Sequence, residues 1–164
     1  MNAFGITVAI DPGLACTGWS WWTGGMFRGG GIVRGGGGTG AVEVGRLVGR
    51  TVLEAVGVEH KVDRVVYERM AVYKFTSQKG DQNDLILLAE VAGAACGVIG
   101  ALADEPVTAR SWKGQVPKDI MHARVLGRLT QEEAAAVDGV KTPGGLRHNF
   151  LDAVGIGLWR AGRL

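Results

Sequence analysis

The sequence is short of the residues on which several common frameworks depend. Its two cysteines, Cys16 and Cys96, stand far apart and outside any CxxC spacing, which excludes a disulfide scaffold and a cysteine zinc site. Both read as small core residues of a reducing compartment. Only three histidines occur in 164 residues, so oxygen is the donor on offer to any metal. Charge of one sign is also scarce in excess: 18 Lys and Arg against 16 Asp and Glu leave +2, compatible with a local basic face but no proof of a polyanionic partner. No internal repeat is visible. The opening residues Met1 to Gly5 lack a basic region, an apolar run and a small-residue cleavage site, so a cytoplasmic location is expected. The longest apolar stretch, Leu85 to Ala103, carries Glu90, much Ala and Gly, and no Trp or Tyr at either end, so no membrane association is expected and a buried helix is. What is present, 46% hydrophobic residues in 164, suits a single domain over 1–164 with one core.

Along the chain, Gly5 to Asp11 is an apolar, β-branched run stopped by Asp11-Pro12-Gly13, a buried strand that delivers a carboxylate at its outgoing end. Thr17 to Trp22 and Met26 to Arg34 flank Thr23-Gly24-Gly25 and read as a hairpin that continues an antiparallel meander. After the glycine-rich connector 35–40, apolar positions from Val44 to Val56 recur at helical spacing over Ala41 to Gly57. Asp63 to Glu68 is a fourth strand, again ending in an acid. A polar, basic segment 69–84 follows, and Asn83 or Asp84 is expected to cap the apolar helix that runs to about Ala103. Pro106 to Ala109 reads as a fifth strand, Ser111 to Lys118 as a basic loop, Asp119 to Leu129 as a helix, 139–145 as a loop and Leu146 to about Ala161 as a last helix. The predicted class is α/β: a mixed five-stranded sheet, three antiparallel strands then parallel ones, flanked by helices.

Asp11, Glu68 and Asp152 are the residues to which this order gives chemical meaning. Glu68 has poor turn and strand propensity, and Asp152 lies among Phe150, Leu151, Ala153, Val154 and Ile156, where an unpaired carboxylate is costly. A mixed sheet gathers such acids into one cleft at its strand ends. Three clustered anions need a hard cation, and oxygen ligands select Mg²⁺ or Mn²⁺ over zinc or copper. Two such ions about 4 Å apart suit in-line phosphodiester hydrolysis.

The motifs Ile10-Asp11-Pro12-Gly13 with Thr17-Gly18-Trp19, Val66-Tyr67-Glu68, and His148-Asn149-Phe150-Leu151-Asp152-Ala153-Val154-Gly155 together resemble those of the RuvC-type Holliday-junction resolvases. The resemblance covers nearly the whole chain. It implies an RNase H-like fold, a homodimer and a crossover junction endodeoxyribonuclease that uses Mg²⁺, with Mn²⁺ as substitute and two ions per site. Its action would be paired symmetric nicking of four-way DNA junctions in recombination and repair, leaving 5′-phosphate and 3′-hydroxyl ends. Branch-migration machinery is a partner of the kind such an enzyme takes. The family usually carries an acid or histidine three residues before the last aspartate; here Asn149 stands there, with His148 one residue earlier. Both offsets share a helix face, and His148 is the favoured fourth ligand because imidazole is the better donor.

Lys113, in the basic loop, is the residue expected to steady charge on the scissile phosphate, with Lys118 and Arg124 on the flanking backbone. In the basic segment after Glu68, Arg69 and Lys74 are expected on DNA, with Tyr73 and Phe75 as the aromatics that stack on an unpaired base at the junction centre. Trp19 and Trp21 fall on one face of their strand and Trp22 on the other, as core bulk. The apolar helix carries small residues at Gly93, Ala94, Gly97, Gly100 and Ala101, and a two-fold partner would cover it. Two other readings compete. The Asp11-Pro12-Gly13 to Thr17-Gly18 pattern also resembles the phosphate loop of the actin, sugar-kinase and Hsp70 superfamily, although those proteins need two such domains. An RNase H-like nuclease for other branched or hybrid nucleic acid is the remaining alternative.

Overall fold

The structure, a computed structural model, describes residues 5–57, 60–71 and 81–164. Strands β1 (Ile6–Asp11), β2 (Cys16–Thr23) and β3 (Met26–Arg34) form the expected meander, followed by helix α1 (Ala41–Val56) and strand β4 (Arg64–Glu68). Then come α2 (Gln82–Ile99), β5 (Ala103–Val107), α3 (Ala109–Trp112), α4 (Lys118–Gly127), α5 (Gln131–Gly139) and α6 (Arg147–Arg160). The sheet order is β3-β2-β1-β4-β5, with β1 antiparallel to β2 and parallel to β4, and β4 parallel to β5. The mixed sheet read from the pattern is therefore present.

Alternation along the strands divides the core between the two sheet faces. Val8, Ile10, Trp19, Val33 and Val65 pack under α1 and α2 with Val48, Val52, Ala95 and Ile99. On the opposite face Ala9, Val66 and Val107 meet Trp112, Met121 and Ile156, while Trp22 and Phe27 meet Phe150, Val154 and Leu158. The tryptophans divide as alternation requires, Trp19 and Trp21 to one side and Trp22 to the other.

Several boundaries differ from the sequence reading. The fifth strand spans Ala103–Val107, not Pro106 to Ala109, because at an edge strand Pro106 removes no needed ladder donor. Within the expected basic loop, Thr108 caps the single turn α3 by accepting from the Ser111 N–H. The cap of α2 is Asp81, which accepts from Asn83 N–H at 2.9 Å, and the helix stops at Ile99 because Gly100 turns left-handed at φ 61°. Helix α5 has no counterpart in the sequence reading. It is opened by a capping box in which the Thr130 hydroxyl and the Glu133 carboxylate bond each other's backbone N–H.

Glu133 also ties the last residues down. Only 2% exposed, it accepts two bonds from Arg163 and one from the Phe27 N–H. Burial pushes its carboxyl up, but the Arg163 guanidinium and the Thr130 and Phe27 N–H groups outweigh that and bring its pKa to about 2. Among the described residues no helix is long and apolar enough to cross a membrane.

Candidate active site

Parallel pairing of β1 with β4 reaches Ile10 opposite Tyr67 as its last register pair; one residue further along each strand come Asp11 and Glu68. Neighbouring strands lie about 4.8 Å apart, so two carboxylates leave the sheet side by side. By alternation both share the face of Ala9 and Val66, the face on which α6 packs.

Helix α6 brings the third acid because β2 lets it come close. Gly18, paired with Asp11 across the ladder, would drive any Cβ into the Asn149 carbonyl, so only glycine lets the first turn of α6 rest on the strand. Gly157, two turns on, is pressed against the Trp22 ring in the same way. Asp152, between these contacts, is buried.

The electrostatics tie the three together. The Asp11 carboxyl is held well above the usual range by burial first, then by the negative charges of Glu68 and Asp152, with Lys113 and Lys118 pulling back. Burial alone would lower the Lys113 ammonium, but Glu68, Asp152 and Asp11 raise it overall. Glu68 Oε2 accepts from Trp112 Nε1 at 2.7 Å and lies 3.4 Å from Lys113 Nζ, which also sits 4.7 Å above the Trp112 ring. Asp152 Oδ1 lies 3.0 Å from His122 Nε2, both side chains nearly covered. No hydrogen bond to the Asp11 carboxylate is found among the described residues.

These observations answer whether the residues suit a divalent cation. Three carboxylates with mutual repulsion, one of them raised and unbonded, are the donor set that Mg²⁺ or Mn²⁺ takes. Among the described residues no three His, Cys, Asp or Glu side chains lie together at metal-ligating spacing; Glu68 and Asp152 each meet a ring nitrogen.

Of the other sequence-predicted residues, His148 and Asn149 lie half-buried in the first turn of α6. Burial pushes the Cys16 thiol up, and the neighbouring Asn149 side chain offsets part of that. His148 has none of the three carboxylates as a hydrogen-bond partner among the described residues. Lys118 and Arg124 are exposed on α4, and Arg69 is exposed at the end of β4, its N–H bonded to the Val107 carbonyl at 2.7 Å. Tyr73, Lys74 and Phe75 lie outside the described residues. Beside Glu68, a groove of about 610 Å³ continues along α2 past Leu85, Ile86, Ala89 and Gly93.

Sequence reasoning missed Trp112 and His122 as site residues. A histidine on α4 carries no motif, and its only sequence signal is that it follows the buried Met121 on a helix that packs against α6.

The loop after β1 is closed upon itself. The Thr17 hydroxyl donates to the Gly13 carbonyl at 2.9 Å and accepts from the Gly13 N–H at 3.1 Å, so that N–H is not presented to a phosphate as a nucleotide loop requires.

No family model and no curated protein matches the chain. Solved structures do. A RuvC structure from Thermus thermophilus is 16% identical, with TM-score 0.60, over 96% of this chain and 97% of that one. The same organism's RuvC in complex with Holliday junction substrate is 17% identical, with TM-score 0.54, over 94% and 90%. The yeast mitochondrial Holliday junction resolvase Ydc2 is 12% identical, with TM-score 0.50, over 94% and 80%. Over most of its length, the chain has the RNase H-like fold of the RuvC-type resolvases.

Proposed function

We propose that the chain is a metal-dependent endodeoxyribonuclease that resolves four-way DNA junctions by paired symmetric nicks. The observation that carries this reading is that Asp11 and Glu68, at the outgoing ends of the central strands β1 and β4, lie with Asp152 of α6 close enough for two of them to raise the third. The likeness over most of the chain to a resolvase bound to its junction supports the substrate class. Asp11, Glu68 and Asp152 hold Mg²⁺ or Mn²⁺, two ions per site, with His148 as fourth ligand, favoured over Asn149 because neutral imidazole is the better donor. Bound there, the ions supply an activated water and charge stabilisation for the leaving oxygen. Lys113, already drawn to the carboxylates, steadies the scissile phosphate. Arg69, Lys118 and Arg124 grip the flanking backbone, and Tyr73, Lys74 and Phe75 meet the junction centre.

The active form is a homodimer. Gly93 and Gly97 of α2 have open space where a side chain would stand and Ile86 is 61% exposed, a face at helical spacing suited to a second copy. A two-fold pair presents two sites to the two strands that must be cut.

Incubation with a synthetic four-way junction, a linear duplex and an RNA–DNA hybrid, each in Mg²⁺ or EDTA, tests the proposal. Symmetric nicks in the junction alone, abolished by EDTA, are expected. Cleavage of the hybrid in preference to the junction, or no cleavage of either, would overturn it.

A further inference from the structure

Two ring N–H groups reach the acidic cluster from the helices that cover it, and each takes one oxygen of a different carboxylate. Trp112 Nε1 donates to Glu68 Oε2 at 2.7 Å, and the same oxygen is the one Lys113 approaches at 3.4 Å. His122 Nε2 meets Asp152 Oδ1 at 3.0 Å. A carboxylate only accepts, so the His122 tautomer that fits carries its proton on Nε2. Among the described residues nothing bonds Glu68 Oε1 or Asp152 Oδ2. Trp112 is fixed from behind, and His122 follows a buried neighbour on α4. Trp112 is 4% exposed, wedged against Gly155 of α6, and Met121, the neighbour of His122, is 1% exposed in the same cluster.

We infer that Trp112 and His122 are positioning residues: they clip one oxygen of Glu68 and one of Asp152, turning the other oxygen of each toward the divalent cations. The inference rests on the metal-site reading above. Carboxylates that ligate metals are themselves held by hydrogen bonds, and losing such a partner typically weakens metal binding about 10–100-fold.

The test is Mn²⁺ binding to the full chain by titration calorimetry without DNA, with thermal unfolding of each variant to establish that it folds. His122→Ala should weaken Mn²⁺ about 10–100-fold. His122→Gln, whose amide N–H reaches the position of Nε2, should recover most of that loss, which a merely structural role would not predict. Trp112→Phe keeps most of the ring in the core and removes only the donor, and should weaken Mn²⁺ as well. Mn²⁺ affinity within twofold of wild type in both His122→Ala and Trp112→Phe overturns the clip. Asp11→Asn and Asp152→Asn separate the two levels: if they lose Mn²⁺ while the clip variants do not, only the clip fails. If they bind Mn²⁺ like wild type, the metal site itself fails and takes the clip with it.

Discussion

Replacing Asp11 by Asn should make the protein more stable and inactive at once. Burial and the charges of Glu68 and Asp152 raise the Asp11 carboxyl above its ordinary value. A raised acid favours the folded state while protonated; that contribution is present below the unfolded pKa of about 3.9 and is lost as pH rises through the folded value. At neutral pH a carboxyl group in this buried, negatively charged place therefore works against folding. Asn keeps the shape and removes the charge. Each tenfold change in proton affinity is worth about 1.4 kcal/mol, and about 1 kcal/mol moves Tm by roughly 2–4 °C in a domain of this size. Thermal unfolding in EDTA should show Asp11→Asn melting at least that much above wild type at pH 7.5, with the difference shrinking as pH falls toward 4. With Mg²⁺ the order should reverse, since a ligand at about 100 times its Kd stabilises wild type by about 2.7 kcal/mol. The variant should bind junctions and fail to nick them. A wild type more stable than Asp11→Asn in EDTA at pH 7.5 would refute the reasoning.

Lys113→Met should lower the nicking rate about 100-fold or more while changing junction affinity less than tenfold, measured by single-turnover cleavage and gel shift; an unchanged rate removes Lys113 from the site. Glu133→Ala should cost about 3–5 kcal/mol by urea unfolding at pH 7, because it strands Arg163. With a folded pKa of about 2, the Glu133 contribution is full above its unfolded value near 4.3 and is lost as pH falls toward 2, so the deficit should narrow at pH 3. Gly97→Leu meets open space within the chain and should leave the fold intact while converting the proposed dimer to monomer in sedimentation equilibrium.

Strands β1 and β4 were legible in the sequence because each is central in the sheet and reads as a largely apolar run ending in an acid. That is why Asp11 and Glu68 stood out, and why Asp152 did, as an acid in an apolar helix. The helix α5 was not legible from periodicity: its nine residues hold only Val137 as a large apolar anchor, although Thr130 and Glu133 spell a capping box that announces its start. The fifth strand was displaced by reading Pro106 as an opening residue, which holds for a central strand and not for an edge. Trp112 and His122 were invisible as site residues for a different reason. Their roles depend on the packing of α3 and α4 against α6, a long-range fact that no local pattern encodes.

The account turns on Asp11, Glu68 and Asp152 sharing a cation. Anomalous diffraction from crystals soaked in Mn²⁺ addresses that claim most directly. A peak within about 2.5 Å of oxygens from all three side chains is the predicted result. A protein that stays well ordered yet shows no peak at these strand ends, or one ligated by other residues, would contradict it.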